Sequence, residues 1–410
     1  MIVGVPLSAS YTDALLPLEP DAAREESPEL SIVMPCLNEV ETLAACIGKA
    51  WRAIEGAKIN AEIIVADNGS TDGSQALAAS LGARIIPVPT RGYGSALMGG
   101  IEAAKGRYVL MGDADDSYDF SEVPKFVAKL REGYELVQGC RLPGGGGTVA
   151  PGAMPTLHRW WGNPMFSWMA RVWFRAPVHD VYCGMRAFTR DFYVSLDLRC
   201  IGMEFATEMM IKSSLRHARI AEVPITLHPD GRTAHPPHLK TFRDGWRTLR
   251  FYLMYSPRWL FLLPGIALSL LGFVGYALAM PRVTLHGVVF DVHTLLFASL
   301  AILTGYQAVL FAVFTKTFAM SEGLLPMDER MTRFSQRIDL ERGLVIGALT
   351  MALGIGLLVA VVYQWVTRDF GRLDYAYTMR WAIPGFTLTS LGVQTVFASF
   401  FLGILGLKRR

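Results

Sequence analysis

The stretch GRYVLMGDADDSYDF, residues 106–120, joins an apolar run to a cluster of acidic residues. Arg107–Met111 is rich in β-forming residues and predicts a strand, and Asp113, Ala114 and Asp115 follow it directly. At the end of an extended strand, residues i and i+2 point the same way, so the two carboxylates repel each other unless a cation lies between them. Carboxylate oxygens suit Mg²⁺ or Mn²⁺, which bridge a few carboxylates to substrate phosphates. The stretch therefore predicts a divalent-metal site at the end of a strand.

Around this stretch, short β-rich runs alternate with helical patterns. The predicted strands are Leu30–Met34, Glu62–Ala66, Arg84–Ile86, Arg107–Met111 and Glu135–Gln138. The predicted helices between them are Val40–Ile54, Ser74–Leu81, Ser95–Ala104 and Glu122–Arg131. This alternation predicts a Rossmann-like α/β domain, with a parallel, mostly buried sheet and helices on both faces. Ligands bind such sheets beyond the carboxyl ends of the strands.

Two further polar turns are expected at that edge of the sheet. The sequence PCLNE, Pro35–Glu39, follows the first predicted strand, and DNGSTD, Asp67–Asp72, follows the second. An acidic residue such as Asp72, taken alone, is most often part of a turn or a helix N-cap. Three polar turns on one edge are more than loops require, so together they favour a binding site.

The second half of the chain is far more apolar. After Arg258, four runs without a charged residue each reach the length of about 20 residues that crosses the hydrocarbon core of a bilayer. They are Trp259–Met280, Thr294–Phe314, Gly343–Val366 and Trp381–Leu407. Buried helices of a soluble domain are rarely uncharged for so long, so we predict four transmembrane helices. Gly343 and Gly347 form a GxxxG pair that suits packing between spans, although such pairs are weak signals.

Composition excludes several classes of protein. Hydrophobic residues make up 51% of the 410 residues and charged residues 18%, which excludes a disordered or highly solvated chain. The net charge of +3 argues against a protein that coats nucleic acid. The five cysteines form no CxxC pair, so we expect neither a disulfide framework nor a zinc site, and we favour a reducing compartment for that part of the chain.

These patterns predict four regions. Residues 1–29 form a flexible acidic tail without a signal peptide, and residues 30–240 form the soluble domain. Residues 241–257 form an amphipathic juxtamembrane helix, and residues 258–410 form the membrane domain. Within the soluble domain, residues 163–175 predict a second amphipathic helix for the membrane interface. Packing of the aromatic stripes against the domain core is the alternative for both amphipathic helices.

We predict an integral membrane protein, which would lie in the inner membrane if the source is bacterial. A large domain without an export signal is expected to stay in the cytoplasm. The basic residues between the second and third spans agree with that side by the positive-inside rule, although the loop after the third span is also basic.

Five motifs in order, PCLNE, ADNGSTDGS, RGYGSALMGG, DADDSYDF and QGCR, resemble glycosyltransferase family 2. Within it, the chain is most similar to the polyprenyl-phosphate (dolichol-phosphate) hexose synthases, over about residues 30 to 255. The resemblance implies a nucleotide-binding GT-A fold, a nucleotide-sugar donor, a lipid-phosphate acceptor and inversion at the anomeric carbon. It also implies a metal-dependent enzyme that uses Mg²⁺ or Mn²⁺.

The resemblance carries residue roles to the matching positions. The resemblance implies that the nucleotide sugar is bound by Pro35, Leu37, Glu39, Val65, Asp67, Asp113 and Ala114. Asp113 and Asp115 match the metal motif, and Asp115 and Arg141 are the catalytic candidates, with Arg141 binding phosphate. The candidates for the acceptor phosphate are Asp180, Arg186, Arg232 and Lys240.

The chain departs from the family pattern at three positions. Asn68 stands where a second aspartate is common, and Cys140 replaces a serine or threonine. Ser117 stands where some mannose synthases have a glutamine metal ligand, which leaves the third metal ligand and the donor open.

The expected function is transfer of one hexose from a nucleotide sugar to polyprenyl or dolichyl phosphate at the bilayer surface. UDP-glucose is the favoured donor and GDP-mannose the alternative. No nucleic acid is expected as a partner. The sequence leaves open whether the protein forms a homo-oligomer. One rival is a processive polysaccharide synthase, but its QxxRW motif is absent from the sequence and no span precedes the domain. A non-catalytic transporter or scaffold for lipid-linked sugars is a second rival, against which the intact Asp113 and Asp115 argue.

Overall fold

The computed structural model describes residues 27–232, 241–329, 331, 333 and 340–406. Most of the predicted acidic tail and the candidate Lys240 therefore lie outside the described residues. The strands of the soluble region are β1 (Leu30–Cys36), β2 (Ala61–Asp67), β3 (Arg84–Pro87), β4 (Tyr108–Met111), β5 (Leu136–Cys140), β6 (Thr148–Val149), β7 (Arg186–Thr189), β8 (Ile220–Pro224) and β9 (Thr226–Leu227). The helices are α1 (Leu43–Gly56), α2 (Ser74–Ser80), α3 (Tyr93–Ala103), α4 (Val123–Arg131), α5 (Asn163–Phe174), α6 (Arg190–Leu196), α7 (Phe205–Leu215) and α8 (Thr241–Tyr255).

Seven strands form one sheet in the order β3-β2-β1-β4-β7-β5-β8. The five predicted strands run parallel to one another, as expected, and a strand that the sequence did not predict, β7, lies antiparallel between β4 and β5. The four residues of β7, Arg-Ala-Phe-Thr, show no regular alternation of polar and apolar residues in the sequence. Its side chains do alternate, since Ala187 joins the core on one face of the sheet and Phe188 the core on the other.

Two apolar cores hold the helices on opposite faces of this sheet, as the alternation predicted. One core contains Phe120 and Phe126 with residues of α1 and α4, and the other contains Phe188 and Phe205 with residues of α3, α5 and α7. Each of these four rings is at most 1% exposed. Burial of such a side chain contributes about 1.5–3 kcal/mol to folding, so these rings fix the helices against the sheet.

The chain before α5 is already helical, although the sequence predicted a helix that begins at residue 163. A π-helical turn, His158–Gly162, runs directly into α5, and the amide of Asn163 contacts Met154 Sδ at 3.3 Å instead of capping. This continuous segment exposes a row of large apolar side chains. They are Leu157, Trp160, Trp161, Met165, Trp168 and Val172.

Four long apolar helices follow α8. They are α9 (Leu263–Ala279), preceded by a π-helical turn at Arg258–Leu262, then α10 (Val292–Ser321), α11 (Leu340–Val366) and α12 (Tyr375–Gly406). A short hairpin of β10 (Thr284–Leu285) and β11 (Val288–Val289) joins α9 to α10. All four helices are long and apolar enough to cross a membrane, as the sequence predicted.

Glycines let the membrane helices approach closely in pairs. A Cβ on Gly265 of α9 would lie 2.8 Å from the carbonyl oxygen of Gly305 on α10. In α11, a Cβ on Gly347 would lie 3.0 Å from the carbonyl oxygen of Gly392 on α12, and a Cβ on Gly343 would lie 2.9 Å from Cβ of Ser399. Small residues at such contacts allow the backbone-to-backbone packing typical of membrane helices.

Candidate functional site

The acidic turn after β4 lies at the carboxyl edge of the sheet, beside the turns that follow β1 and β2. Cys36 at the end of β1 pairs in register with Asp67 at the end of β2, and the Gly112 N–H donates to the carbonyl of Val33. The Thr42 hydroxyl donates to the carbonyl oxygen of Ala114 at 2.7 Å, which ties the start of α1 to the acidic turn. The structure thus brings the predicted motifs together at one edge.

Asp113 is a half-buried carboxylate with a like charge close by. Burial and the negative charge of Asp115 raise the pKa of Asp113 to about 6. The Tyr93 hydroxyl donates to Oδ1 of Asp113 at 2.8 Å and partly offsets this effect. A cation placed beside both carboxylates would therefore be strongly favoured.

Asp115 is oriented from both sides. Its Oδ1 accepts from the Ser117 N–H at 3.1 Å and from the Ser117 hydroxyl at 2.6 Å. Its Oδ2 accepts from the Arg232 guanidinium at 2.9 Å. Ser117, which stands where some mannose synthases have a glutamine metal ligand, therefore orients Asp115 by hydrogen bonds.

Arg232 supplies the positive charge beside these carboxylates. Its guanidinium pairs with Glu39 at 2.9 Å, with Asp115 at 2.9 Å and with Asp230 at 2.6 Å. The segment that carries Arg232 is fixed by a Gly231 N–H bond to the carbonyl of Asp115. The acceptor-phosphate candidate Arg232 therefore lies at the site, where it contacts carboxylates.

The chemistry of these groups fits a divalent metal bound by two carboxylates. A Cβ on Gly184 would lie 2.8 Å from Oδ2 of Asp113, so this glycine keeps space open beside that oxygen. Within the described part of the chain, no third His, Cys, Asp or Glu completes a metal cluster. Mg²⁺ is commonly held by one or two carboxylates, with substrate phosphates and water in the other positions. Asp113 and Asp115 match that pattern.

Arg141 is held by a fully buried carboxylate. Asp180 accepts from Arg141 Nε at 2.7 Å, from its second guanidinium nitrogen at 2.9 Å and from its backbone N–H at 3.0 Å. The remaining guanidinium nitrogen lies 3.4 Å from the Tyr118 hydroxyl. Asp180 is 0% exposed, so it is placed to orient Arg141 rather than to meet a phosphate itself.

Arg186, which the resemblance implied as a ligand for the acceptor phosphate, is enclosed by protein. It is 0% exposed, and its guanidinium donates to the carbonyl oxygens of Ala206, Val181 and Cys183 at 2.6, 3.3 and 2.7 Å. These bonds join the segment 181–183 to the first turn of α7 beside the site. The role of Arg186 at the acceptor phosphate stays a prediction, and its burial argues for a structural role.

The predicted nucleotide-binding residues divide into two groups. Pro35 and Leu37 are half-exposed at the sheet edge, and Asp67 accepts from the Gly69 and Ser70 N–H groups and from the Gln75 amide. Val65 is 0% exposed and its side chain packs within the core, so its role in nucleotide-sugar binding stays a prediction.

Asn68 explains the first departure from the family pattern. Its amide nitrogen donates to the carbonyl oxygens of Val88 and Thr90 at 3.0 and 2.8 Å, and its oxygen accepts from the Gly92 N–H at 2.8 Å. An amide supplies both donor and acceptor, whereas an aspartate supplies only acceptors. Asn68 thereby fixes the glycine-rich turn that leads into α3.

We expect Asn68→Asp to lower the free energy of unfolding by about 1–3 kcal/mol, because a buried carboxylate would face two carbonyl oxygens. Thermal unfolding of the purified protein in detergent measures the change. Asn60→Asp, at an exposed position, is the matched control. An unfolding midpoint equal to that of the wild type would contradict this account of Asn68.

A cavity of about 440 Å³ opens beside these groups. Its polar lining includes Tyr93, Asp113, Tyr118 and Arg141, and its apolar lining includes Leu157, Trp161, Met165 and Phe166. The two tyrosines were not predicted as site residues. Tyr93 lies within the quoted RGYG motif and Tyr118 within DADDSYDF, but a motif does not reveal that both hydroxyls turn toward the carboxylates and Arg141.

Comparison with known proteins agrees with this arrangement. Residues 31–196 match the family described as glycosyl transferase family 2, and residues 313–406 match the glycosyltransferase family 2 C-terminal transmembrane region. The chain is 38% identical over 398 residues to the low-salt glycan biosynthesis hexosyltransferase Agl6 of Haloferax volcanii, covering 97% of this chain and 93% of that protein. It is 32% identical over 197 residues to the dolichyl-phosphate hexose transferase of the same organism, covering 48% of this chain and 82% of that protein.

Among solved structures, the chain is similar to glucosyl-3-phosphoglycerate synthase from Mycobacterium tuberculosis in complex with Mn²⁺, UDP and glucosyl-3-phosphoglycerate. That likeness covers 55% of this chain and 78% of the other, with 22% identity and a TM-score of 0.42. The similarity to the Haloferax hexosyltransferase extends over nearly all of both chains. This protein therefore belongs to glycosyltransferase family 2, with a GT-A domain followed by a membrane domain of four apolar helices.

Proposed function

We propose that this protein is an inverting glycosyltransferase that transfers one hexose from a nucleotide sugar to polyprenyl phosphate at the cytoplasmic face of the membrane. One observation carries the proposal. The cavity that contains Asp113 and Arg141 is also lined by Leu157, Trp161 and Met165, which belong to the exposed apolar row before and within α5. An acceptor with an anionic head and an apolar tail matches a cavity with these two ends.

The surface around the cavity supports a lipid acceptor. Trp160, Trp161 and Trp168 are 64%, 73% and 54% exposed, and Phe242 and Trp246 of α8 are 86% and 60% exposed. Aromatic side chains with this exposure on amphipathic helices are typical of segments that lie in the membrane interface. Since α8 leads into the first apolar helix, both surfaces belong at the bilayer.

The acceptor's chemistry agrees with the groups at the site. A phosphate monoester has a second pKa of about 6 and is largely anionic at pH 7, so its oxygen needs no strong general base. That oxygen attacks the anomeric carbon opposite the nucleoside diphosphate, a new C–O bond forms, and the bond to the diphosphate breaks with inversion. Arg141, held by Asp180, is placed to bind a phosphate oxygen beside Asp113.

Asp113 and Asp115 are the residues that would hold Mg²⁺ or Mn²⁺. The metal, when bound, supplies a Lewis acid that neutralises charge on the departing diphosphate. Asp180, Ser117 and Tyr93 keep the charged groups in place, so the protein contributes positioning and electrostatic stabilisation.

The relatives support the same class of reaction. One is named a hexosyltransferase of glycan biosynthesis and another a dolichyl-phosphate hexose transferase. We favour UDP-glucose as the donor and keep GDP-mannose as the alternative. The cytoplasmic side is supported by Arg333, which lies in sequence between the second and third apolar helices, and by Arg342 at the start of the third helix, on the same side as the catalytic domain.

An assay of the purified full-length protein tests the proposal. The protein in detergent is incubated with Mn²⁺, polyprenyl phosphate and a panel of radiolabelled nucleotide sugars. We expect one butanol-extractable lipid with a single sugar, and loss of this product with a chelator. Water-insoluble polymer would instead support a processive synthase. Folded protein that yields no product with any donor would overturn the proposal in favour of a transporter or scaffold.

A substitution at the cavity mouth tests the lipid end of the site. We expect Trp161→Ala to raise KM for a long-chain polyprenyl phosphate by about 10-fold, because a large apolar contact of roughly 1–2 kcal/mol is lost. KM for the nucleotide sugar should stay unchanged. Val194→Ala, at an exposed apolar position on α6, is the matched control. Equal KM values for the long-chain acceptor in Trp161→Ala and the control would contradict this role of the cavity.

A further inference from the structure

Glu208 of α7 is a buried carboxylate that the reaction as described does not use. It is 1% exposed and pairs with Lys212 at 2.8 Å. Its other oxygen accepts from the backbone N–H groups of Arg199 and Cys200 at 2.9 and 2.8 Å. Burial opposes its ionisation, but Lys212 and the two N–H groups hold the pKa of Glu208 below its usual value. Glu208 is therefore an anion, and its hydrogen bonds fix the start of the segment 199–202.

The segment 199–202 packs directly against the first turn of α3. The Ser95 N–H donates to the carbonyl of Ile201 at 3.0 Å. A Cβ on Gly92 would lie 2.3 Å from the carbonyl oxygen of Ile201, and one on Gly94 would lie 2.4 Å from that of Cys200. Backbone meets backbone here, so a displacement of residues 199–202 must move the first turn of α3.

The first turn of α3 carries Tyr93, whose hydroxyl donates to Asp113. We propose, on the basis of the proposed function, that Glu208 is a positioning residue. It holds residues 199–202 under the start of α3 and so keeps Tyr93 bonded to the metal-binding Asp113. Glu208 itself touches none of the reacting groups in this account.

Glu208 also connects this path to the membrane. The Tyr255 hydroxyl at the end of α8 lies 3.4 Å from Oε1 of Glu208, and α8 leads into the first apolar helix. Lys212 further donates to the carbonyl of Asp197 at 2.5 Å, at the start of the loop that Glu208 fixes. The position of Tyr93 is thus set by contacts that reach the juxtamembrane helix.

Binding of Mn²⁺ tests the proposal without requiring turnover. Free Mn²⁺ is followed by electron paramagnetic resonance during titration of the full-length protein with UDP, and in parallel with GDP, in the absence of acceptor. We expect Tyr93→Phe and Glu208→Gln each to weaken Mn²⁺ binding by about 3- to 10-fold, the effect of losing one hydrogen bond at the site. The double variant should bind no more weakly than the weaker single variant, because both changes act through the same bond.

Multiplied effects in the double variant would overturn the proposal, as would Mn²⁺ binding by Glu208→Gln that equals the wild type. Glu55→Gln, at an exposed position on α1, is the matched control. Gly94→Ala provides a second route, since its Cβ would displace the start of α3 while Glu208 stays intact, and it should weaken Mn²⁺ binding similarly. Absence of lipid-linked sugar from the wild type would contradict the proposed function and leave the Mn²⁺ titration interpretable.

Discussion

Asp115→Asn is expected to lower the rate of lipid-linked sugar formation by about 10²- to 10³-fold, the usual effect of losing one preorganised electrostatic partner of the reacting charge. Asparagine keeps an oxygen that can accept from Ser117, so the local turn should survive. Its amide group, however, would face the Arg232 guanidinium, where Asp115 now accepts at 2.9 Å. The variant should therefore lose activity through the missing negative charge and not through unfolding. The radiolabelled-lipid assay measures this loss of activity directly.

Asp116→Asn is the matched control, because Asp116 is the neighbouring carboxylate and pairs with Lys49 at 2.8 Å away from the site. Its backbone φ of 61° lies in the left-handed region, which asparagine tolerates well. We expect this variant to retain most of the activity. An Asp115→Asn protein that keeps more than half of the wild-type rate would show that the acidic turn does not carry the reaction.

The sequence alone predicted the parts of the fold that have a long or repeated signal. Alternating strands and helices from Leu30 to Arg131 appear in the structure within a few residues of their expected limits. The four apolar runs were equally clear, because about 20 uncharged residues have few alternatives to a membrane span. β7 was missed because its four residues, Arg-Ala-Phe-Thr, show no regular alternation of polar and apolar residues. Its antiparallel direction follows from long-range pairing that no local pattern encodes.

The site was predictable in its chemistry but not in its contacts. Spacing of i and i+2 placed Asp113 beside Asp115. Residue order placed their turn near the turns after β1 and β2, since the carboxyl ends of neighbouring strands form one edge. Residue type could not separate Arg141 from Arg186. One borders the cavity, while the other is enclosed by carbonyl groups. That distinction depends on burial, and burial is set by the packing of distant segments. The bond from Tyr93 to Asp113 was hidden for the same reason.

The rival of a processive synthase differs from this protein in what the site would have to do. A growing sugar chain would require a general base for each hydroxyl acceptor and a path for polymer through the spans. In the described part of the chain, Arg141, Arg232 and two tyrosine hydroxyls surround the acidic turn, and the cavity lining also includes His158, Glu204 and several apolar residues. Cationic groups next to an apolar wall favour an anionic lipid head over a sugar hydroxyl.

Asp180→Asn is expected to cause the largest loss of stability, about 3–5 kcal/mol, because it leaves the guanidinium of Arg141 buried without its counter-charge. For a region of this size, such a change corresponds to a fall in unfolding temperature of roughly 10 °C. Activity should fall as well, since Arg141 loses its counter-charge and one of the two carboxylate bonds that fix its direction. Thermal unfolding followed by the lipid-linked sugar assay at a temperature where the variant is folded separates the two effects.

The double variant Asp180→Asn/Arg141→Met distinguishes a positioning role from a merely structural ion pair. Replacing both partners removes the unpaired charge, so much of the lost stability should return. Activity should not return, because the methionine cannot bind a phosphate oxygen. Recovery of stability together with activity would show that Arg141 serves only the fold. Recovery of stability alone would place the function of this buried pair at the phosphate, where the guanidinium borders the same cavity as Asp113.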